Sequence, residues 1–170
     1  INICNALLIH QRKPIFIFHQ NSYISIINCT IINSQFNFIA ELITISSSQI
    51  KILNCTLTNV IFNKTSLITS FQSLTEMIDI NIHSSCFLDC SLINNVDGTF
   101  SFNKFSIINS TGHTSNIFDS VGTVYFMADD FILYNLSFQR NKLCSSFIFH
   151  SDFASELIIK NFSILYCNGI

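Results

Sequence analysis

The chain has 170 residues, enough for one domain with its own core, yet 49% are hydrophobic and only 11% are charged, against roughly a quarter charged in soluble domains. A formal charge of −2 with eight Lys and Arg excludes the basic face that phosphate binding needs, and with it a nucleic-acid partner. Asn, Ser, Thr or a charge breaks every apolar run short of the 18 or so residues that span a bilayer. No membrane span is predicted, and the hydropathy belongs to stacked strands.

From the N-terminus an Asn-centred segment returns seven times. It reads Ile3-Cys4-Asn5-Ala6, Ile26-Ile27-Asn28-Cys29, Ile52-Leu53-Asn54-Cys55, Ile82-His83-Ser84-Ser85, Phe102-Asn103-Lys104-Phe105, Leu133-Tyr134-Asn135-Leu136 and Ile159-Lys160-Asn161-Phe162. The anchors are Asn5, Asn28, Asn54, Ser84, Lys104, Asn135 and Asn161, unevenly spaced. Self-similarity at their mean period of about 26 residues marks a solenoid. In Ile50-Lys51-Ile52-Leu53 the alternation is that of a strand with one buried face. After Asn54 the parity slips by one, so that Cys55 and Leu57 turn inward. A two-residue turn at the anchor explains the slip, because Asn tolerates the left-handed conformation.

A second strand precedes each anchor, marked by Ile15-Phe16, Leu42-Ile43, Leu67-Ile68, Leu92-Ile93, Ile117-Phe118 and Phe147-Ile148. Neighbours along a regular strand point to opposite faces, which predicts an outward apolar stripe of Phe16, Ile43, Ile68, Ile93, Phe118 and Ile148. Such a stripe would serve assembly or intrachain packing. The expected fold is all-β, a parallel β-helix of about six to seven coils with two or three short strands each. Residues 1–170 read as a single solenoid segment cut from a longer one.

The segments Ile24 to Asn33 and Gln49 to Asn59 resemble the repeat of the parallel β-helix, pectin-lyase-like family over nearly the whole chain, although the copies at Ser84 and Lys104 lack the anchor Asn. The resemblance implies right-handed coils, and enzymes of this family act on acidic polysaccharides with clustered Asp and nearby Arg or Lys. Two carboxylates are needed, one to protonate the leaving oxygen and one to activate water. Here the candidates are Asp129 and Asp130, with Asp119, Asp152 and Glu156 on neighbouring coils and Arg140 and Lys142 downstream. Polygalacturonases carry Asn-x-Asp, Asp-Asp, Gly-His-Gly and Arg-x-Lys in that order. In this chain Gly112-His113-Thr114 precedes Asp129-Asp130 and lacks its second Gly, and the first motif is missing. The acidic pair therefore reads as a solvated loop.

No metal or cofactor is expected. His83, Cys86 and Cys90 could supply three zinc ligands but find no fourth at suitable spacing. Seven Cys without a Cys-x2-Cys pair are not a redox module. Cys29 and Cys55 share one inward phase in adjacent coils, where they would either bridge or pack as small buried thiols.

Asn-x-Ser/Thr sequons stand at Asn28, Asn54, Asn63, Asn109, Asn135 and Asn161. Asn28, Asn54, Asn135 and Asn161 sit at anchors, where side-chain amides of successive coils would form a ladder and crowd any glycans. Asn63 and Asn109 fall out of phase near coil edges and are the favoured acceptors. The leading reading is a non-catalytic extracellular or cell-surface segment, a rod, adhesive stalk or filament subunit, whose partners are its own copies or neighbouring coils. A polysaccharide lyase or hydrolase is one alternative. The other is a glycan-binding module with Tyr125 and Tyr134 on one outer face.

Overall fold

A computed structural model of the chain describes residues 2–4, 7–9, 16–37, 41–113, 115–122, 124–139, 149–151 and 155–168. These residues form an all-β solenoid. Every strand pair is parallel, and the strands fall into three sheets that share one core. The wide sheet contains the strands Asn2–Cys4, Tyr23–Ile27, Thr30–Ile32, Gln49–Thr58, Leu74–His83, Thr99–Ile108, Val124–Tyr134, Ser155–Ile159 and Phe162–Leu165. The narrow sheet is six short strands, among them Gln35–Asn37, Ile61–Asn63, Cys86–Leu88 and Thr111–His113. The third sheet comprises Phe16–His19, Glu41–Ser46, Ser66–Phe71, Ser91–Val96, Asn116–Val121 and Phe149–Ser151. Six rungs in the narrow sheet bound five full turns, which at about 4.8 Å per coil make a stack roughly 24 Å high.

Two columns of left-handed residues set the period. One is Asn28, Asn54, Asp79, Lys104, Asp130 and Asn161, with φ between 47° and 57°. Its members follow one another at an almost constant step of one coil, lengthened only between Asp130 and Asn161. The other, Asn33, Asn59, Ser84, Asn109, Asn135 and Tyr166, repeats the same steps at φ 50° to 57°. The anchors expected from the sequence thus mixed two columns: Asn28, Asn54, Lys104 and Asn161 belong to the first, Ser84 and Asn135 to the second. That mixture produced their uneven spacing.

The first column bends the wide sheet without ending its strands. In Gln49–Thr58 the burial alternates through Ile50 and Ile52, slips one residue at exposed Asn54, and resumes at Cys55 and Leu57. Ladder pairing passes from Leu53 opposite Ile78 to Cys55 opposite Ile80 and skips the bend itself. A single left-handed residue does the work that the sequence assigned to a two-residue turn. At Asn28 the N–H is still used, donating to Leu53 O at 3.0 Å, so that bend leaves its donor satisfied.

The outward apolar stripe is corrected by the packing. Ile43 is 6% exposed, Ile68 0%, Ile93 1% and Phe118 4%, and their partners Leu42, Leu67, Leu92 and Ile117 are buried as well. Phe16 is half-buried against the core, and Ile148 lies outside the described residues. Opposite-face alternation holds only in a regular pleat, and here the pleat is broken. The ladder runs Ser66 opposite Glu41, then Ile68 opposite Ile43, skipping the first member of each pair one residue into the strand. Both members therefore face inward.

Aromatic rings change sheets along the core. Phe36, Phe62 and Phe87 of the narrow sheet stack with centroids 5.5 and 5.9 Å apart, and the next rung is Gly112. From that level the wide sheet supplies most of the rings instead, with Phe118 added from the third sheet. Phe102 has Phe100, Phe105, Phe118 and Phe126 at centroid distances of 4.9, 4.8, 5.0 and 5.2 Å. Large side chains on one wall answer a missing side chain on another, which keeps the interior close-packed.

Candidate functional site

Small polar side chains at the corners link each coil to the next. The residue after a left-handed position is Ser, Thr or Cys at many corners, as in Ser47-Ser48, Gln72-Ser73, Ser84-Ser85, Asn109-Ser110 and Asp89-Cys90. Ser73 Oγ donates to Phe71 O at 2.6 Å and accepts the N–H of Ser48 at 3.2 Å. Ser110 Oγ donates to Ile108 O at 3.0 Å and accepts from Ser85 N at 3.1 Å. Each hydroxyl satisfies one carbonyl in its own coil and one donor in its neighbour, which buried backbone groups require. Sequence reading missed this set; its signal was a left-handed former followed by a small hydroxyl residue, recurring once per coil.

Outside the core, amide ladders run along the axis. Asn54 Nδ2 donates to Asn28 Oδ1 at 2.8 Å, Asn59 to Asn33 at 2.8 Å and Asn135 to Asn109 at 2.9 Å. Asn109 is therefore a rung of the second column, in phase with Asn135 rather than out of phase as the sequence suggested. Asn63 ends a narrow-sheet strand opposite Asn37 and Leu88. Thr65, two residues on, is buried and donates its hydroxyl to Asn63 O at 3.1 Å.

The bend makes the outer face of the wide sheet concave. An open groove of about 770 Å³ follows it, lined by Asp79, Lys104, Asp130 and Asn161 at the bend and by Asn81 and Ser106 beside it. Asp129 faces the other side of the bend, in a smaller groove of about 210 Å³ with Glu76 and Lys160. Its Oδ1 accepts the Asn161 amide at 2.9 Å and the Asp130 N–H at 3.1 Å. The candidate carboxylates are thus separated. Asp130 and Asp129 line different grooves, Glu156 is exposed opposite Tyr125, and Asp119 is on the third sheet, accepting from Ser91 Oγ at 3.4 Å. Arg140, Lys142 and Asp152 lie outside the described residues.

Tyr125 and Tyr134 both occur in the wide-sheet strand Val124–Tyr134, exposed, near its two ends. Tyr134 meets Tyr166 edge to face at 5.5 Å. Among the described residues no three His, Cys, Asp or Glu converge as a metal site; His83 and Cys86 are in different sheets, and Cys90 is buried at a corner. Burial pushes the Cys90 thiol up to about 12. Cys29 and Cys55 are free thiols on neighbouring rungs. Among the described residues no helix is long and apolar enough to cross a membrane.

Compared with known proteins, the sequence is matched by no family model and by no curated protein.

Proposed function

We propose that the chain is a non-catalytic segment of an extracellular or cell-surface protein, a rod or adhesive stalk built on a pectin-lyase-like β-helix and carrying N-linked glycans. One observation carries this reading: exposed Asn side chains at matching positions of successive coils are spent on bonds between those coils, at Asn28–Asn54, Asn33–Asn59 and Asn109–Asn135. Side chains used this way stiffen a stack along its axis and are not free to act on a substrate. The dispersal of Asp119, Asp129, Asp130 and Glu156 points the same way, since general acid and base must flank one bond. Among the sequons, Asn63 is favoured as an acceptor because its side chain takes no part in the exposed ladders. The test is secretion of the chain from eukaryotic cells, followed by intact mass before and after glycan removal. A mass equal to that of the bare chain would sink the glycoprotein half. Turnover of polygalacturonate that disappears in Asp130→Asn would sink the non-catalytic half.

A second reading, a glycan-binding module, is favoured by Tyr125 and Tyr134, both exposed on a strand of the wide sheet that also carries the groove. Aromatic faces and polar groove walls suit a sugar chain. Titration with soluble polysaccharides, wild type against Tyr134→Ala, separates it from the first.

A further inference from the structure

Among the described residues, Cys29 and Cys55 are the cysteine pair that meets in register across adjacent coils. The ladder places Ile27 opposite Leu53 and Thr30 opposite Thr56, and Thr56 N donates to Cys29 O at 2.9 Å between them. By contrast Cys86 faces Ile61 and Thr111, and Cys4 faces Ile32. Neighbouring parallel rungs are about 4.8 Å apart, within the span of roughly 4.4–6.8 Å between the Cα atoms of a disulfide.

The two thiols hold the place that hydroxyls hold at other corners. Cys55 Sγ is directed at Leu53 O at 3.4 Å, and Cys29 N donates to Cys55 Sγ at 3.4 Å, as Ser73 does for Phe71 and Ser48. Sulfur is the weaker partner in both bonds, so serine would do this work better. What two stacked thiols add is the capacity to bridge. They also line an apolar cavity of about 40 Å³ with Phe16, Ile26, Leu42 and Met77, which gives the sulfurs room to rotate. Cys29 is half-buried and reachable, whereas Cys55 is 3% exposed.

We propose that Cys29 and Cys55 form an oxidation site that closes into an inter-coil disulfide, with a hydroperoxide such as hydrogen peroxide as oxidant. The Cys29 thiolate attacks one peroxide oxygen, the O–O bond breaks and hydroxide leaves, giving a sulfenic acid. Cys55 then attacks the Cys29 sulfur, the S–O bond breaks, and its proton departs with the hydroxyl as water. Two electrons pass from the two sulfurs to peroxide. When Cys29 ionises, the Cys55 S–H can turn from Leu53 O to the thiolate, and that hydrogen bond brings Cys29 down to about 7, so the attacking group is ionised near neutral pH. The bond closes a loop of one coil and fastens the first turns of the stack together.

The test treats the reduced full chain with hydrogen peroxide, blocks remaining thiols by alkylation, and maps tryptic peptides without reduction. Trypsin cuts after Lys51, between the two cysteines. The expected product is the Cys29 peptide joined to the Cys55 peptide with loss of two hydrogen atoms, and a thermal midpoint raised by several degrees that reductant reverses. Cys55→Ser should instead trap Cys29 as a dimedone-reactive sulfenic acid. Recovery of both cysteines as alkylated thiols from peroxide-treated wild type overturns the proposal, as does Cys29 joined to another cysteine. Both outcomes are read on the wild-type chain, so a variant that fails to fold leaves the answer intact.

Discussion

Asn54 gives its side-chain amide to Asn28 Oδ1 at 2.8 Å while its own backbone sits at φ 52°. One residue thus bends the strand and ties two coils. Asn54→Ala loses the bond, worth about 1 kcal/mol, and places an ordinary side chain in the left-handed region at about 1–2 kcal/mol. Urea unfolding should show a loss of about 2–3 kcal/mol, the sum of the two effects. Asn54→Gly keeps the conformation and should cost less. A glycine variant less stable than the alanine variant would show that the backbone plays no part.

Gly122 has φ +83°, and a Cβ there would collide with Asp97 Oδ1. Both an unfavourable backbone conformation and a collision oppose Gly122→Ala, which should destabilise by about 1–3 kcal/mol. The collision is with a side chain, so Asp97→Ser in the same molecule should recover part of the loss. The remainder is backbone strain. A double-mutant cycle measures the two parts, and strict additivity would mean that the carboxylate does not block the site.

Ile68 is 0% exposed, in the position the sequence assigned to an outer stripe. Ile68→Ala should cost about 2–5 kcal/mol, as for other buried large-to-small changes. A surface residue would cost less than about 0.5 kcal/mol. Denaturant midpoints of Ile68→Ala and of Ile93→Ala distinguish the two placements, and near-wild-type stability in both would restore the stripe.

The fold was legible because the coil period and the strand alternation each report the same stack, as at Ile50, Ile52, Cys55 and Leu57. What failed was local. Asp79 and Asp130 hold the same left-handed position as Asn54, and a reading that did not count Asp at that position jumped to the other column at Ser84 and Asn135. The apolar pairs misled because alternation presumes a pleat, which is interrupted at Leu67. Asn109 was misplaced for the first reason. The serine corners went unread because Ser is common in this chain and its role depends on the coil above. The spread of the carboxylates could not be read at all: Asp129 and Asp130 are neighbours in sequence, and only the bend at Asp130 sends them into different grooves.

The thiols make the reduced protein sensitive to pH. A hydrogen bond from Cys55 lowers Cys29 to about 7, against the opposing effect of burial. The same bond, then burial, raise Cys55, and burial raises Cys90 to about 12. Iodoacetamide should modify Cys29 with a rate that climbs through a midpoint near 7, while Cys90 reacts only after unfolding. Cys55→Ala removes the donor and leaves the burial, so the Cys29 midpoint should move above the ordinary thiol value near 9. Stability follows by linkage. Between about 7 and 9 the unfolded chain holds a proton that folded Cys29 has released, so stability rises with pH across that window; below about 7 both states hold the proton and the contribution is gone. Above 9 the unfolded chain loses protons that Cys55 and Cys90 keep, so stability declines as pH rises toward 12. Urea midpoints from pH 6 to 10 should pass through a maximum near 9, and Cys29→Ser should remove the rising limb. A rising limb unchanged in Cys29→Ser would assign it to other groups.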